Sequence, residues 1–292
     1  MGFAVKILGD GGLKTSDARR WQSGPQLSVS LDLLDVAFDY LDRIDVRLYR
    51  MASSTIPYGT HPDLPEFDYR RQIDACAEQL AALGTKAQHF GLRLSTHPGQ
   101  YTVINAVDPV LVTKSLLDLE QDAALLDALG QRDGVVVLHV GGAYGDKPAA
   151  LARWATAYER LSERAQRAVA VEHDDRLFSL DDVLWLHART GARVVYDIHH
   201  DRCLPATSTL ADAYATWGEA RPKVHVSSPR LDSSRLEAHA DYAAPWDVAE
   251  VVRRAPGPLD VMVEAKAKDL AILALRAQLL RVEPMVAALE ER

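Results

Sequence analysis

Cysteine is nearly absent: Cys76 and Cys203 are the only two in 292 residues, far apart and without the close spacing of a metal-binding pair. That excludes a disulfide framework, and free thiols in a reducing, bacterial-type cytoplasm are expected. No apolar run approaches the ~18 uninterrupted residues that mark a membrane span, so no membrane partner is expected. The apolar start is interrupted by Lys6 and followed by Asp10-Gly11-Gly12, too short for a signal-peptide core. Met1-Gly2 begins like an acylation signal, but position 6 is Lys rather than Ser or Thr. An excess of positive charge is missing too. The 33 basic and 41 acidic residues give −8, which favours solubility and exerts no general pull on nucleic acid or anionic lipid. A nucleic-acid role therefore needs local basic patches or bound cations. With no linker rich in Pro, Gly or Ser, no low-complexity tract and no repeated unit, residues 1–292 read as a single domain, and a monomer is expected.

What the chain does have is a series of short apolar runs that end abruptly in polar residues. Val194-Val195-Tyr196 reads as a buried strand and stops at Asp197-Ile198-His199-His200. The same ending closes Leu92 to His97, Val135 to His139, Val169 to Glu172, Lys223 to Ser227 (with His225) and Leu259 to Glu264. With Phe3 to Leu8 and Asp45 to Met51 these make eight predicted strands. Helical periodicity places helices over Ser30–Arg43, Asp68–Phe90, Pro109–Gly130, Pro148–Arg167, Leu180–Arg189, Ala211–Glu219, Asp247–Arg254 and Ala267–Glu290. Eight strands alternating with eight helices, the strands apolar almost throughout, predict an α/β fold: a single closed (β/α)8 TIM barrel. In such a barrel the C-terminal strand ends converge on one face, so residues from His97 to Glu264 can share a pocket.

The residues at those ends suit metal chemistry. His97, His139, His200 and His225 stand at or just past strand ends, with Glu172, Asp197 and Glu264 in equivalent places. Imidazole nitrogens and carboxylate oxygens are ligands for Zn, Mn or Fe, and bridging carboxylates hold divalent cations close together. One histidine beside an apolar run is more often a hydrogen-bonded core or rim residue, but the joint pattern predicts a multi-metal site. Lys223 lies two residues before His225, so strand alternation turns both inward, where a lysine must pair with carboxylates, lose its proton or be modified. Gly141-Gly142 and Gly145 suit either a phosphate approach or plain turn chemistry. Lys266 and Lys268 suit either phosphate contact or solvation at a helix start. His89 and His187 are expected at helix surfaces, and Cys203, with no base partner evident, is incidental.

Taken in order, several motifs resemble the UV damage endonucleases, relatives of endonuclease IV and of the xylose-isomerase-like barrels. They are Tyr49-Arg50-Met51-Ala52-Ser53-Ser54 with Pro57 and His61, His97-Pro98-Gly99-Gln100-Tyr101, and His139-Val140-Gly141-Gly142 with Gly145-Asp146-Lys147. They continue with Glu172-His173-Asp174-Asp175, Asp197-Ile198-His199-His200, Lys223-Val224-His225-Val226-Ser227, His239 with Tyr242, and Glu264-Ala265-Lys266-Ala267-Lys268. The resemblance implies a metal-dependent DNA-repair endonuclease. Its enzymes cut the phosphodiester 5′ to UV photoproducts, cyclobutane pyrimidine dimers and 6-4 photoproducts, in duplex DNA, leaving a 3′-hydroxyl and a 5′-phosphate. It implies two or three divalent ions, typically Mn2+, held by His61, His97, His139, Glu172, Asp197, His200, His225, His239 and Glu264. Glu172, Glu264 and Lys223 take catalytic places, Lys223 matching a lysine that is carboxylated near the metals. Gln100 and Tyr101 match a pair that probes the lesion from within the base stack.

Two positions depart from the family: His173 stands where Asn is usual, and Phe3 takes the place of a Tyr at the lesion pocket, keeping a stacking face and losing a hydroxyl. The enzymatic rivals are an abasic-site endonuclease and a sugar isomerase on the same barrel; the non-enzymatic rival is a damage-recognition or scaffold protein with structural metals. A DNA substrate calls for a basic crescent around the strand ends, expected at Lys14, Arg19, Arg20, Arg50, Arg230 and Arg235.

Overall fold

Strands that are apolar on both faces can only be buried on both, and that is where this chain puts them. The computed structural model describes residues 1–290, those from 281 on by their backbone alone. Strands β1 (Gly2–Ala4), β2 (Leu48–Arg50), β3 (Arg93–Thr96), β4 (Val135–His139), β5 (Val169–Glu172), β6 (Arg193–Asp197), β7 (Lys223–Val226) and β8 (Asp260–Val263) pair in sequence order. Every pairing is parallel, and β8 closes on β1 through Gly2↔Met262 and Phe3↔Val263. This is the expected (β/α)8 barrel.

Alternation splits each strand between two cores. Outward residues such as Val194, Tyr196, Val224 and Val226 join the main core with the helices. Inward residues form smaller clusters: Val135, Val137, Ala170 and Val195 with Trp217, and Ala4 and Leu48 with Met262. Gly2 is glycine by necessity, because a Cβ there would lie 1.9 Å from the Leu48 carbonyl oxygen. At the floor, Asp260 accepts from Arg93 and pairs with Arg221 at 3.2 Å, so the inward carboxylate carries its own counter-charges.

The outer layer comprises α1 (Leu27–Arg43), α2 (Tyr69–Ala75), α3 (Ala77–His89), α4 (Pro109–Ala128), α5 (Lys147–Tyr158), α6 (Glu163–Ala168), α7 (Leu180–Thr190), α8 (Ile198–Cys203), α9 (Leu210–Ala215), α10 (Pro245–Arg254) and α11 (Lys268–Glu290). Two expected helices are each a pair. Asp68–Phe90 breaks at Cys76, and Pro148–Arg167 breaks between Tyr158 and Ser162, whose hydroxyl caps α6 at Ala165. Strand β1 is shorter than expected because Val5 adopts φ +63°. Both cysteines are free thiols. No helix among the described residues is long and apolar enough to cross a membrane.

One buried group in this layer makes stability depend on pH. Asp122 on α4 is only 4% exposed, and burial raises its carboxyl to about 7 from an ordinary 3.8. The folded protein therefore holds a proton that the unfolded chain releases, so stability is fully present below pH 3.8 and is lost as pH rises toward 7. Asp122→Asn should remove that slope and raise stability at pH 8 by about 4 kcal/mol, measured by urea unfolding across pH 5–8. Parallel curves for the two proteins would rule the assignment out.

Candidate metal centre

The polar strand ends meet at the barrel mouth. Ligand atoms of three groups lie within 4.8 Å of one another: His97, His139 and Glu172; Glu172, Asp197 and His200; Asp197, His225 and Glu264. Glu172 belongs to the first two groups and Asp197 to the last two, so seven residues from six strand ends form one continuous chain of donors. Register explains the arrangement, since Glu172 sits opposite His139 across β4–β5 and Asp197 opposite His225 across β6–β7.

Hydrogen bonds aim these groups. Asp197 caps α8: its Oδ1 accepts from the His199 and His200 amides at 2.6 and 3.0 Å, while its buried Oδ2 has no partner. His200 points Nδ1 at the His173 carbonyl, 2.9 Å away. Glu172 Oε1 lies 2.8 Å from His225 Nδ1, and its Oε2, buried and without a hydrogen-bond partner, lies 3.6 Å from Nε2 of both His97 and His139. Burial would raise the Glu172 carboxyl, but His225 and His139 hold it well below the usual carboxylate range. Burial likewise favours the neutral form of His139, which is the ligating form. Unpartnered carboxylate oxygens facing imidazole nitrogens are what a divalent cation would satisfy, and the donor set fits one.

Two expected ligands stand apart. His239 is half-buried beside the cluster, its ring centroid 6.4 Å from that of His200 and its Nδ1 3.2 Å from the Glu264 carbonyl. His61 is exposed on the loop after β2, where its Nδ1 accepts from the Asp63 amide, and it joins none of the groups.

Phe3 needs correction. It is fully buried on the outward face of β1, edge-on to Tyr49 at 5.6 Å, and offers no stacking face to a ligand. Gln100 and Tyr101, by contrast, are the exposed tip of the β3–α4 loop, with Tyr101 77% exposed.

Arg50 is the residue sequence reasoning misplaced. Expected on a surface crescent, it lies buried inside the barrel, 2.6 Å from Glu264 Oε1 and 2.9 Å from His225 Nε2. The signal was available: Leu48 and Arg50 share the inward parity of β2, as Lys223 and His225 share that of β7. The guanidinium is a fixed positive charge that helps hold the Glu264 carboxyl well below its usual range against burial. The other crescent residues are exposed, but Arg19, Arg230 and Arg235 pair with Asp17, Asp232 and Glu237 two positions away. Lys266 is exposed and, with His239, Arg230 and Arg235, lines a cavity of about 580 Å³.

His173 and His199 also belong to the site's surroundings. Both are fully buried; His173 Nε2 accepts the Asp197 amide at 2.9 Å, and His199 has no partner at either ring nitrogen. His173 is therefore a support to Asp197 and His200. Gly141 needs no phosphate to explain it, having φ +106° and close approach by Asn105 and Val103. His187 is half-buried, its Nδ1 2.9 Å from the Ala192 carbonyl, while His89 is exposed as expected.

A family model described as UV-endonuclease UvdE matches residues 29–290. The chain belongs to the UV-endonuclease family. It is thus a DNA-repair endonuclease for UV damage, a hydrolase of phosphodiester bonds. The UV DNA damage endonuclease of Bacillus mycoides (strain KBAB4) is 33% identical over 245 residues, covering 80% of this chain and 76% of its own. That of Bacillus cereus (strain G9842) is 31% identical over 241 residues, covering 79% and 74%. The crystal structure of SacUVDE superposes with a TM-score of 0.84 at 26% identity, covering 97% of this chain and 98% of that one. Endonuclease IV from Thermus thermophilus, at TM-score 0.57 and 20% identity over 100% and 99% of the two chains, shares the fold. For a UV endonuclease, a barrel mouth rimmed by an exposed Gln-Tyr tip and floored by carboxylates and imidazoles is a coherent surface.

Proposed function

We propose that this UV endonuclease incises duplex DNA on the 5′ side of cyclobutane pyrimidine dimers and 6-4 photoproducts, leaving a 3′-hydroxyl and a 5′-phosphate. The reading is supported above all by the three donor groups that share Glu172 and Asp197. His97, His139, Glu172, Asp197, His200, His225 and Glu264 would hold two or three divalent cations, Mn2+ foremost, with His239 and His61 completing the set from the rim. Cations held there supply an activated water and neutralise charge on the phosphoryl and leaving oxygens.

The chain's own residues do the rest. Glu172 and Asp197, each common to two donor groups, would hold the cations, while His173 fixes the Asp197 backbone and the orientation of the His200 ring. Lys223 is buried one layer below His225, and its Nζ has no hydrogen-bond partner. Burial, with Arg50 nearby, pushes its ammonium down to about 7, so much of it is free amine at neutral pH, the form that takes up carbon dioxide as a carbamate. Gln100 and Tyr101 are free to enter a weakened base stack, where an amide and an aromatic ring replace lost stacking.

The test is incubation with Mn2+ and end-labelled duplexes carrying a cyclobutane dimer, an abasic site or no lesion. Cutting should be confined to the immediate 5′ side of the dimer and should stop with EDTA. Preference for the abasic duplex would favour the abasic-site reading, and equal or absent cutting of all three would reject the photoproduct assignment.

A further inference from the structure

We infer that Asp118, on α4 and outside the metal centre, is the positioning residue that sets the lesion-probing turn, and that it thereby governs selection of damaged over intact DNA; the inference rests on the reading of Gln100 and Tyr101 given above. The turn itself is short and local. The Thr102 amide donates to the Gly99 carbonyl at 2.9 Å, which places Gln100 and Tyr101 as the two central residues of a four-residue turn. Such a turn has no fixed direction unless its base is anchored, and a ring as exposed as Tyr101 finds no anchor of its own.

The anchor lies on α4. Thr102 Oγ1 donates to Asp118 Oδ2 at 3.0 Å, and the next amide, of Val103, donates to Ser115 Oγ at 2.8 Å, one helical turn away. The other Asp118 oxygen, Oδ1, accepts from Thr60 Oγ1 at 2.5 Å, the residue directly before His61 on the β2 loop. Lys114 Nζ adds a third donor, to Oδ2 at 3.0 Å. One carboxylate thus fastens two separate mouth loops, one oxygen to each, and the Thr60 contact fixes the carboxylate plane so that the other oxygen faces Thr102.

The energetic logic is pre-organisation. A probe held in its working direction loses little conformational freedom on entering a lesion that has already weakened stacking, and a fixed probe cannot relax to accommodate an intact stack. Freeing the turn erodes that difference, while the metal-binding residues at the strand ends and on α8 keep their own supports; His61, next to Thr60, is the one whose loop shares the Asp118 anchor.

The experiment measures the ratio of kcat/KM for dimer-containing over intact duplex, together with manganese stoichiometry and the thermal unfolding midpoint. Asp118→Ala should lower the ratio about three- to tenfold, the scale of one typical lost hydrogen bond. Asp118→Asn should stay within about twofold, because an amide still reaches both threonines, accepting from one and donating to the other, although it no longer pairs with Lys114. Thr102→Val, a smaller change at the same contact, should reproduce the loss if Asp118→Ala proves too unstable to assay. In a Tyr101→Ala background, Asp118→Ala should cost no further selectivity, since both act through one element. Manganese stoichiometry should be that of the wild type in Thr102→Val, which frees the probing turn and leaves the Thr60 anchor of the His61 loop in place. Wild-type selectivity in Asp118→Ala and Thr102→Val, or a loss that adds fully to that of Tyr101→Ala, would overturn the inference. A wild-type enzyme that cuts both duplexes equally would instead overturn the function on which it rests.

Discussion

Glu172→Gln should reduce incision by about a thousandfold or more, roughly 4 kcal/mol of transition-state stabilisation, and should lower the number of manganese ions bound. The size of the effect follows from position. Glu172 is 1% exposed, faces His97, His139, His200 and His225, and is, like Asp197, common to two of the three donor groups. An amide of the same shape carries no charge and offers one acceptor where a bridging ligand needs two. The fold should persist, because Val169 and Val171 on the other face of β5 keep their packing and the variant no longer buries a charge. Isothermal titration with Mn2+, far-UV circular dichroism and an end-labelled incision assay on one preparation separate these claims. Near-normal incision with normal metal content would mean that Glu172 is only a structural acid.

Tyr101→Ala should do the opposite: selectivity changes and metal does not. Base–aromatic stacking is worth ~1–3 kcal/mol per base, so preference for a dimer-containing over an intact duplex should fall by about tenfold to a hundredfold. Cutting of a damaged single strand, which has little stack to invade, should change far less. Manganese stoichiometry should be unaffected, since Tyr101 is 77% exposed on a loop tip and belongs to none of the donor groups. Competition between labelled damaged and intact duplexes gives the ratio directly. Loss of bound manganese in this variant would show that the tyrosine serves the metal centre.

The barrel is legible in the sequence because parallel strands must be apolar on both faces, and runs such as Val135-Val136-Val137-Leu138 announce that requirement. Polar residues at the ends of those runs are legible for the same reason, since an apolar core would reject them. What stays hidden depends on contacts between distant segments. Nothing local in Asp68–Phe90 marks the break at Cys76. His61 follows Pro57 and a left-handed Tyr58, φ +54°, and the direction in which such a loop leaves the barrel is set by its anchors on other helices. Phe3 shows the limit of reading by motif: the position matches, but strand parity turns the ring into the helix layer. Arg50 shows the converse, since parity alone would have put it inside.

Diffraction at the manganese absorption edge, from crystals of the wild-type protein grown with Mn2+, tests most directly whether these scattered side chains act together on cations. Anomalous peaks should lie within about 2.3 Å of donor atoms of Glu172 and Asp197, with His97, His139, His200, His225 and Glu264 completing the coordination. Manganese found only on the outer surface, or a mouth that stays free of anomalous signal at saturating Mn2+, would contradict the metal centre described above.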